Sequence, residues 1–181
     1  MIYLIIGVIA LLVIYVLVTY NVFVKMKNRV DESFSTMDVY LKKRWNLIPN
    51  IVETVKEYAR HENSALKEIV ELRNGTYDSM SSDEKVDVNN KLSQKINKLI
   101  AIAEAYPNLK ANENFKDLSE QLTKIEDDIA NSRKYYNGTV RIFNNKVQMF
   151  PSNVVAGILG FKEQKMFEAS ENERENVQVK L

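Results

Sequence analysis

The sequence predicts an all-α chain: an N-terminal transmembrane helix, then an elongated antiparallel up-and-down bundle of three long helices plus a short fourth helix. Three observations predict it. The first 24 residues carry no charge, and the run from Ile2 to Val24 is long enough to cross a bilayer, which takes about 20 mostly apolar residues. Beyond that run, apolar residues recur in steps of three and four, and no alternating strand pattern competes. Five Gly and three Pro in 181 residues leave few breaks.

The first element reads as an uncleaved anchor at residues 1–24. A cleaved signal would show a basic start, a shorter apolar core and a small-residue cleavage site. Here the apolar run begins at residue 2 and ends in Tyr20-Asn21-Val22-Phe23-Val24. Lys25, Lys27 and Arg29 follow at once, whereas the other side has only the terminal amine. By the positive-inside rule the N-terminus lies outside and residues 25–169 form a cytoplasmic helical bundle. Tyr3, Tyr20 and Phe23 sit near the two edges of the span, where aromatic rings favour the headgroup layer. A single Gly7 provides no G-x-x-x-G seam for helix dimerisation.

The first long bundle helix is predicted from the stripe Val30, Phe34, Met37, Leu41, Trp45, Ile48, Val52, Val55, Ala59, Glu62, Leu66, Ile69 and Arg73. Two polar residues interrupt its distal end. Pro49 removes one backbone hydrogen bond inside it; the stripe continues past the proline, which favours a kink over a chain reversal. Asn74-Gly75 is the expected stop, because Gly readily takes the left-handed conformation beyond a helix end. Ser81 and Glu84 have the spacing of a capping box at the start of the second helix. That helix carries Val88, Leu92, Ile96, Leu99, Ala103 and Tyr106, and Pro107-Asn108 stops it. The third shows Phe115, Leu118, Leu122, Ile125, Ile129, Tyr136, Val140, Phe143, Val147 and Phe150, up to Pro151. On this count the third helix runs outward from the membrane. The segment Val154 to Phe161 is apolar but too short to span, and folds back as the fourth helix or contacts lipid. The polar tail, residues 170–181, is expected to be disordered.

Composition narrows the chemistry. All 25 Lys and Arg and 24 Asp and Glu lie beyond residue 24, so about a third of that stretch is charged, against the usual quarter. The formal net charge of +1 offers no global field for nucleic acid. Zero Cys removes disulfides and thiolate chemistry. His61-Glu62 begins like H-E-x-x-H, but Ala65 occupies the second histidine position. One His cannot furnish the two Glu-x-x-His motifs of a di-iron bundle. Glu126-Asp127-Asp128 reads as a solvated acidic face, and the cluster Lys42-Lys43-Arg44 as a solvated basic one. No phosphate loop or nucleophile elbow is present. The sequence therefore predicts no enzyme, no cofactor and no metal site.

Several blocks carry a family resemblance. YNVFVKMKNRVDESFSTMDVYLKKRWNLIPNIVETVKEYARHE begins at Tyr20; AEAYPNLKANENFKDLSEQL, IANSRKYYNGTVRIFNNKVQMFP and GFKEQKMFE follow in order. Together they resemble the LemA family of bacterial membrane proteins over nearly the whole chain. The resemblance implies one N-terminal transmembrane helix, a helical remainder and a short N-terminus outside a bacterial cell; it supplies no catalytic residues. Positions matching the family pattern include Arg44, Pro49, Asn50, His61, Glu62, Glu104, Arg133 and Tyr136. Several are polar yet close to the apolar stripe, and buried polar groups require partners. Arg44, Glu62, Glu104 and Arg133 are accordingly expected to form ion pairs inside the bundle that fix helix register, with a partner-binding patch as the alternative. Gly138 departs from the pattern and is expected to loosen the third helix near Asn137.

Two functions are compatible with these features. One is a non-enzymatic scaffold or adaptor, held to the bilayer by residues 2–24, for an unknown cytoplasmic protein partner or for self-association. The other is a small-ligand or ion sensor, or an accessory subunit of a membrane enzyme, using Glu104, Arg133 and Tyr136 as a polar pocket.

Overall fold

The computed structural model describes residues 1–59 and 63–167. All regular structure among them is helical. In chain order the helices are α1 (Ile2–Tyr58), α2 (Asn63–Leu72), α3 (Ser82–Glu104), α4 (Pro107–Ala111), α5 (Glu113–Gln148) and α6 (Ser152–Leu159), with one 3-10 turn at Tyr77–Ser79.

The apolar run and the first bundle helix are one element. α1 continues from Ile2 through Pro49 to Tyr58. Residues 2–18 are exposed along it and almost wholly apolar. Burial begins at Thr19 and Phe23 and then follows Val30, Met37, Leu41, Trp45, Ile48, Val52, Val55 and Ala59, the stripe read from the sequence. α1 is thus long and apolar enough at its start to cross a membrane.

The chain divides into two compact units. The first comprises Met1–Thr36 and Lys134–Met166. Here α5 is antiparallel to α1: Phe143 meets Phe23 edge-on at 6.1 Å, and Tyr136 meets Phe34 at 5.7 Å. Ser33 and Thr139 hydroxyls bond at 2.9 Å between the two helices. α6 ends on Gly160, whose φ of 75° is the left-handed conformation that glycine adopts without a Cβ clash. The chain then returns along α5. Phe161 stacks on Phe23 at 4.8 Å, and Asn144 exchanges two hydrogen bonds of 2.9 Å with the Gln164 backbone.

The second unit comprises, among the described residues, Met37–Arg133 together with Phe167. It is a bundle of the outer part of α1, α2, α3 and the first part of α5, with α4 as a connector. α3 runs parallel to α1, because Lys85 pairs with Asp38 while Ser93 bonds to Arg44. α2 comes back beside α3, joined through the ion pair of Glu68 and Lys95. α5 is antiparallel to α1, with Glu126 opposite Arg44.

This order corrects the predicted path. The first helix ends at Tyr58, not at Arg73, and a separate α2 begins at Asn63. One additional element changes the parity, so α5 runs toward the base of the apolar segment and not outward. Gly75 does not take the left-handed conformation expected of it; Gly160 is the one glycine that does among the described residues. The second helix ends at Glu104, three residues before the expected stop, and Pro107 opens α4 at its first position, where its missing N–H is tolerated. The Ser81–Glu84 capping box is present in both directions. Gly138 leaves α5 unbroken. The polar tail expected to be disordered lies outside the described residues.

Candidate functional site

Arg44 is the largest wholly buried side chain among the described residues, at 0 % exposure. It stands on the stripe face of α1 between Leu41 and Ile48. A buried guanidinium is tolerated only when paired and hydrogen-bonded. Its Nη1 donates to Ser93 Oγ at 2.7 Å and to both carboxylate oxygens of Glu126 at 2.8 and 3.0 Å. Nη2 donates to Asn89 Oδ1 at 2.7 Å and to the Asn89 carbonyl at 3.1 Å. Asn89 is itself wholly buried, and its Nδ2 donates to the Lys85 carbonyl at 2.8 Å. Three helices, α1, α3 and α5, therefore converge on one cation.

A second polar layer adjoins it. Tyr77 is buried, and its hydroxyl donates to Asp38 at 2.6 Å; Lys85 pairs with the other oxygen of Asp38 at 2.7 Å. Burial, reinforced by the Asp38 carboxylate, pushes the Tyr77 phenol far above its usual range. The Tyr77 ring also packs against Trp45 at 5.2 Å, and the Arg73 guanidinium lies 5.0 Å above Trp45. Burial moves the Arg73 pKa down.

The predicted positions fall in different surroundings. Pro49 is half-buried inside α1, and Asn50 is exposed there, its carbonyl accepting from Thr54 Oγ1. His61 and Glu62 lie outside the described residues. Glu104 is exposed at the end of α3, not inside the bundle as an ion-pair partner. It borders a groove of about 440 Å³ between α3 and α5, lined by Ile96, Ile100, Ala103 and Phe115 with Lys110, Lys116 and Glu126 at its polar points. Arg133 is buried in the same unit but not on that groove; its guanidinium lies 5.3 Å from the Phe167 ring. Tyr136 belongs to the first unit, where its hydroxyl donates to the Lys165 carbonyl at 2.9 Å. Of the three residues expected to form a polar pocket, Glu104 alone lines this groove. Among the described residues no three His, Cys, Asp or Glu side chains come together as metal ligands do.

The LemA family model matches residues 33–181, more than four-fifths of the chain. The chain belongs to the LemA family. Among curated relatives it is similar to the magnetosome protein MamQ 2 of Paramagnetospirillum magneticum, 24% identical over 180 residues covering 84% of this chain and 65% of that protein. It is similar also to the magnetosome protein MamQ of Magnetospirillum gryphiswaldense, 25% identical over 177 residues with 83% and 65% covered. A third relative, Protein LemA of Metamycoplasma hominis, is 25% identical over 158 residues with 87% and 72% covered. The chain thus spans just under two thirds of the length of the two magnetosome relatives.

For this LemA-family chain, the family pattern points to Arg44 as a buried cation, which corrects the solvated-face reading of Lys42-Lys43-Arg44, but its partners are not among the expected ones. Glu126 was assigned to a solvated acidic run, and Asn89, Ser93, Asp38 and Tyr77 were not singled out. A signal existed. Leu122, Glu126, Ile129, Arg133, Tyr136, Val140 and Phe143 follow alternate steps of four and three, which puts Glu126 on the buried stripe of α5. Asn89, Leu92, Ile96, Leu99 and Ala103 do the same for α3.

Proposed function

We propose that this LemA-family chain is a non-enzymatic, membrane-tethered scaffold or adaptor, presenting a helical bundle on the cytoplasmic side to protein partners or to other copies of itself. The observation that carries the reading is the continuity of α1. One helix supplies the exposed apolar segment and, from Phe23 to Ala59, a buried stripe of the fold. The basic residues that follow the apolar run support the cytoplasmic placement. Arg44 supports it from another side: its two Nη groups are taken up by Ser93, Asn89 and Glu126, an arrangement that fixes helix register.

In-cell crosslinking of the tagged full-length protein, with mass spectrometry of the captured species, tests this. Reproducible capture of a specific protein, or a ladder of self-crosslinks, is the expected result. Monomer alone, at crosslinker levels that trap a known membrane complex in the same cells, contradicts it.

A ligand-sensing role is the second reading, favoured by the groove of about 440 Å³ beside Glu104. A volume in that range accommodates a small molecule. A ligand that binds only the folded state at a hundredfold excess over its Kd adds about 2.7 kcal/mol of stability. A screen in which the protein's melting temperature rises with one small molecule or ion, and not after Lys116→Glu, supports this reading.

A further inference from the structure

We propose that α6 and the residue before its turn, Phe150, form a second membrane-contact surface that lies in the boundary between headgroups and acyl chains beside α1. This goes beyond the scaffold reading and rests only on membrane attachment through α1. The first unit presents large apolar side chains to its surroundings here: Phe150 is 79 % exposed, Ile158 75 % and Val154 53 %. Val154 and Ile158 are four residues apart and share one face of α6, while Ser152, Val155 and Ala156 turn inward. Such a division describes a helix that rests on an apolar medium along one side.

Position identifies that medium as lipid. A hydrocarbon core about 30 Å thick spans about 20 residues of helix, so a crossing that begins near Ile2 ends near Asn21. α6 is attached at that level. Phe161, two residues beyond its end, packs on Tyr20 at 6.1 Å and on Phe23 at 4.8 Å. The end of α6 is therefore held at the level where the apolar run of α1 ends.

Charge agrees. The first unit carries eight Lys and Arg against three Asp and Glu, a net of five positive charges, whereas the whole chain has a net of +1. Lys25, Lys27, Lys146 and Lys162 belong to it, with Glu163 the one acidic residue near α6. A unit with an excess of positive charge and an exposed apolar face fits an anionic lipid surface.

The absence of native cysteine permits a direct test. Single spin labels are introduced in the full-length protein at Ile158→Cys, Val154→Cys, Leu17→Cys and Ala101→Cys, followed by reconstitution into vesicles of phosphatidylcholine with phosphatidylglycerol. Collision with oxygen, which concentrates in lipid, is compared with collision with a water-soluble nickel chelate. The expected oxygen-to-nickel ratio at 158 and 154 is several-fold above that at 101 and approaches that at 17. A ratio at 158 and 154 equal to that at 101 overturns the proposal. Protection from both reagents also overturns it, since the face is then covered by protein. A water-like ratio at 17 removes the attachment through α1 itself, and the proposal with it; the crosslinking result above is separate from all of these.

Discussion

Arg44 shows how a single buried charge constrains its neighbours. Its two Nη groups need acceptors in a space closed to water, and Ser93, Asn89 and Glu126 supply them from α3 and α5, while its buried Nε–H has none. Truncating the anion is predicted to cost more than the pair contributes, because the cation stays buried. Glu126→Ala should lower unfolding stability by about 1–3 kcal/mol, discounted for a carboxylate that is partly exposed. Replacing both members by apolar groups, Arg44→Met with Glu126→Leu, should recover part of that loss. Denaturant melts of the two variants in detergent, followed by helical circular dichroism, decide it. Tyr77 gives a pH prediction with a definite sign. Its phenol stays protonated in the fold well beyond the usual value of 10.0. Below about pH 10 it is neutral in both states and its stabilisation is fully present; above that the unfolded chain releases the proton first, so stability falls as pH rises. Tyr77→Phe should weaken this alkaline loss relative to the parent, and identical slopes between pH 9 and 11.5 would contradict the assignment. At this scale the sequence was legible in type and not in pairing. Arg44 was marked by the family pattern as a polar residue close to the apolar stripe, whereas Glu126 was hidden by Asp127 and Asp128 beside it.

At the scale of elements, two local features make measurable claims. The capping box at α3 is complete: Ser81 N–H donates to Glu84 at 2.7 Å, and Glu84 N–H donates back to Ser81 Oγ at 3.3 Å. These bonds hold the Glu84 carboxyl below its usual range. Ser81→Ala is expected to cost about 1 kcal/mol. Gly138 lies inside α5, and a Cβ there meets nothing within 4 Å. Gly138→Ala should therefore stabilise the protein by about 0.5–1 kcal/mol, the helix-propensity difference; a lower melting temperature would show that the open space beside it is needed. The periodic stripes predicted α1, α3 and α5 well, because three-four spacing survives in any packed helix. The break between Tyr58 and Asn63 was not legible, since Ala59, Glu62, Leu66 and Ile69 keep helical spacing across it. What the sequence does hold there is a polar run, Arg60-His61-Glu62-Asn63-Ser64, of a kind that favours helix starts. Gly75 misled for the opposite reason: it follows a helix end without adopting the conformation that makes glycine useful there.

For the whole molecule, that one missed break reversed the predicted course of the last long helix. Helix direction in an up-and-down fold depends on how many elements precede it, so an error of one sends every later helix the wrong way. With α2 counted, α5 comes back and delivers α6 and Phe161 to Tyr20 and Phe23. The apolar segment Val154 to Phe161, hard to place from sequence, then falls beside the start of the buried stripe. A helix long and apolar enough to cross a membrane was legible because bilayer thickness imposes a length that few buried helices reach without charge. In the proposed arrangement α1 leaves the bilayer near Asn21 and continues unbroken into the fold. Cysteine scanning of α1 in intact membranes tests it most directly, with single substitutions from Ile5 to Asn28 and a membrane-impermeant maleimide. Protection is expected from Ile5 to about Val18, and labelling from Lys25 onward only once the membranes are opened. Uniform labelling along the whole stretch would contradict it.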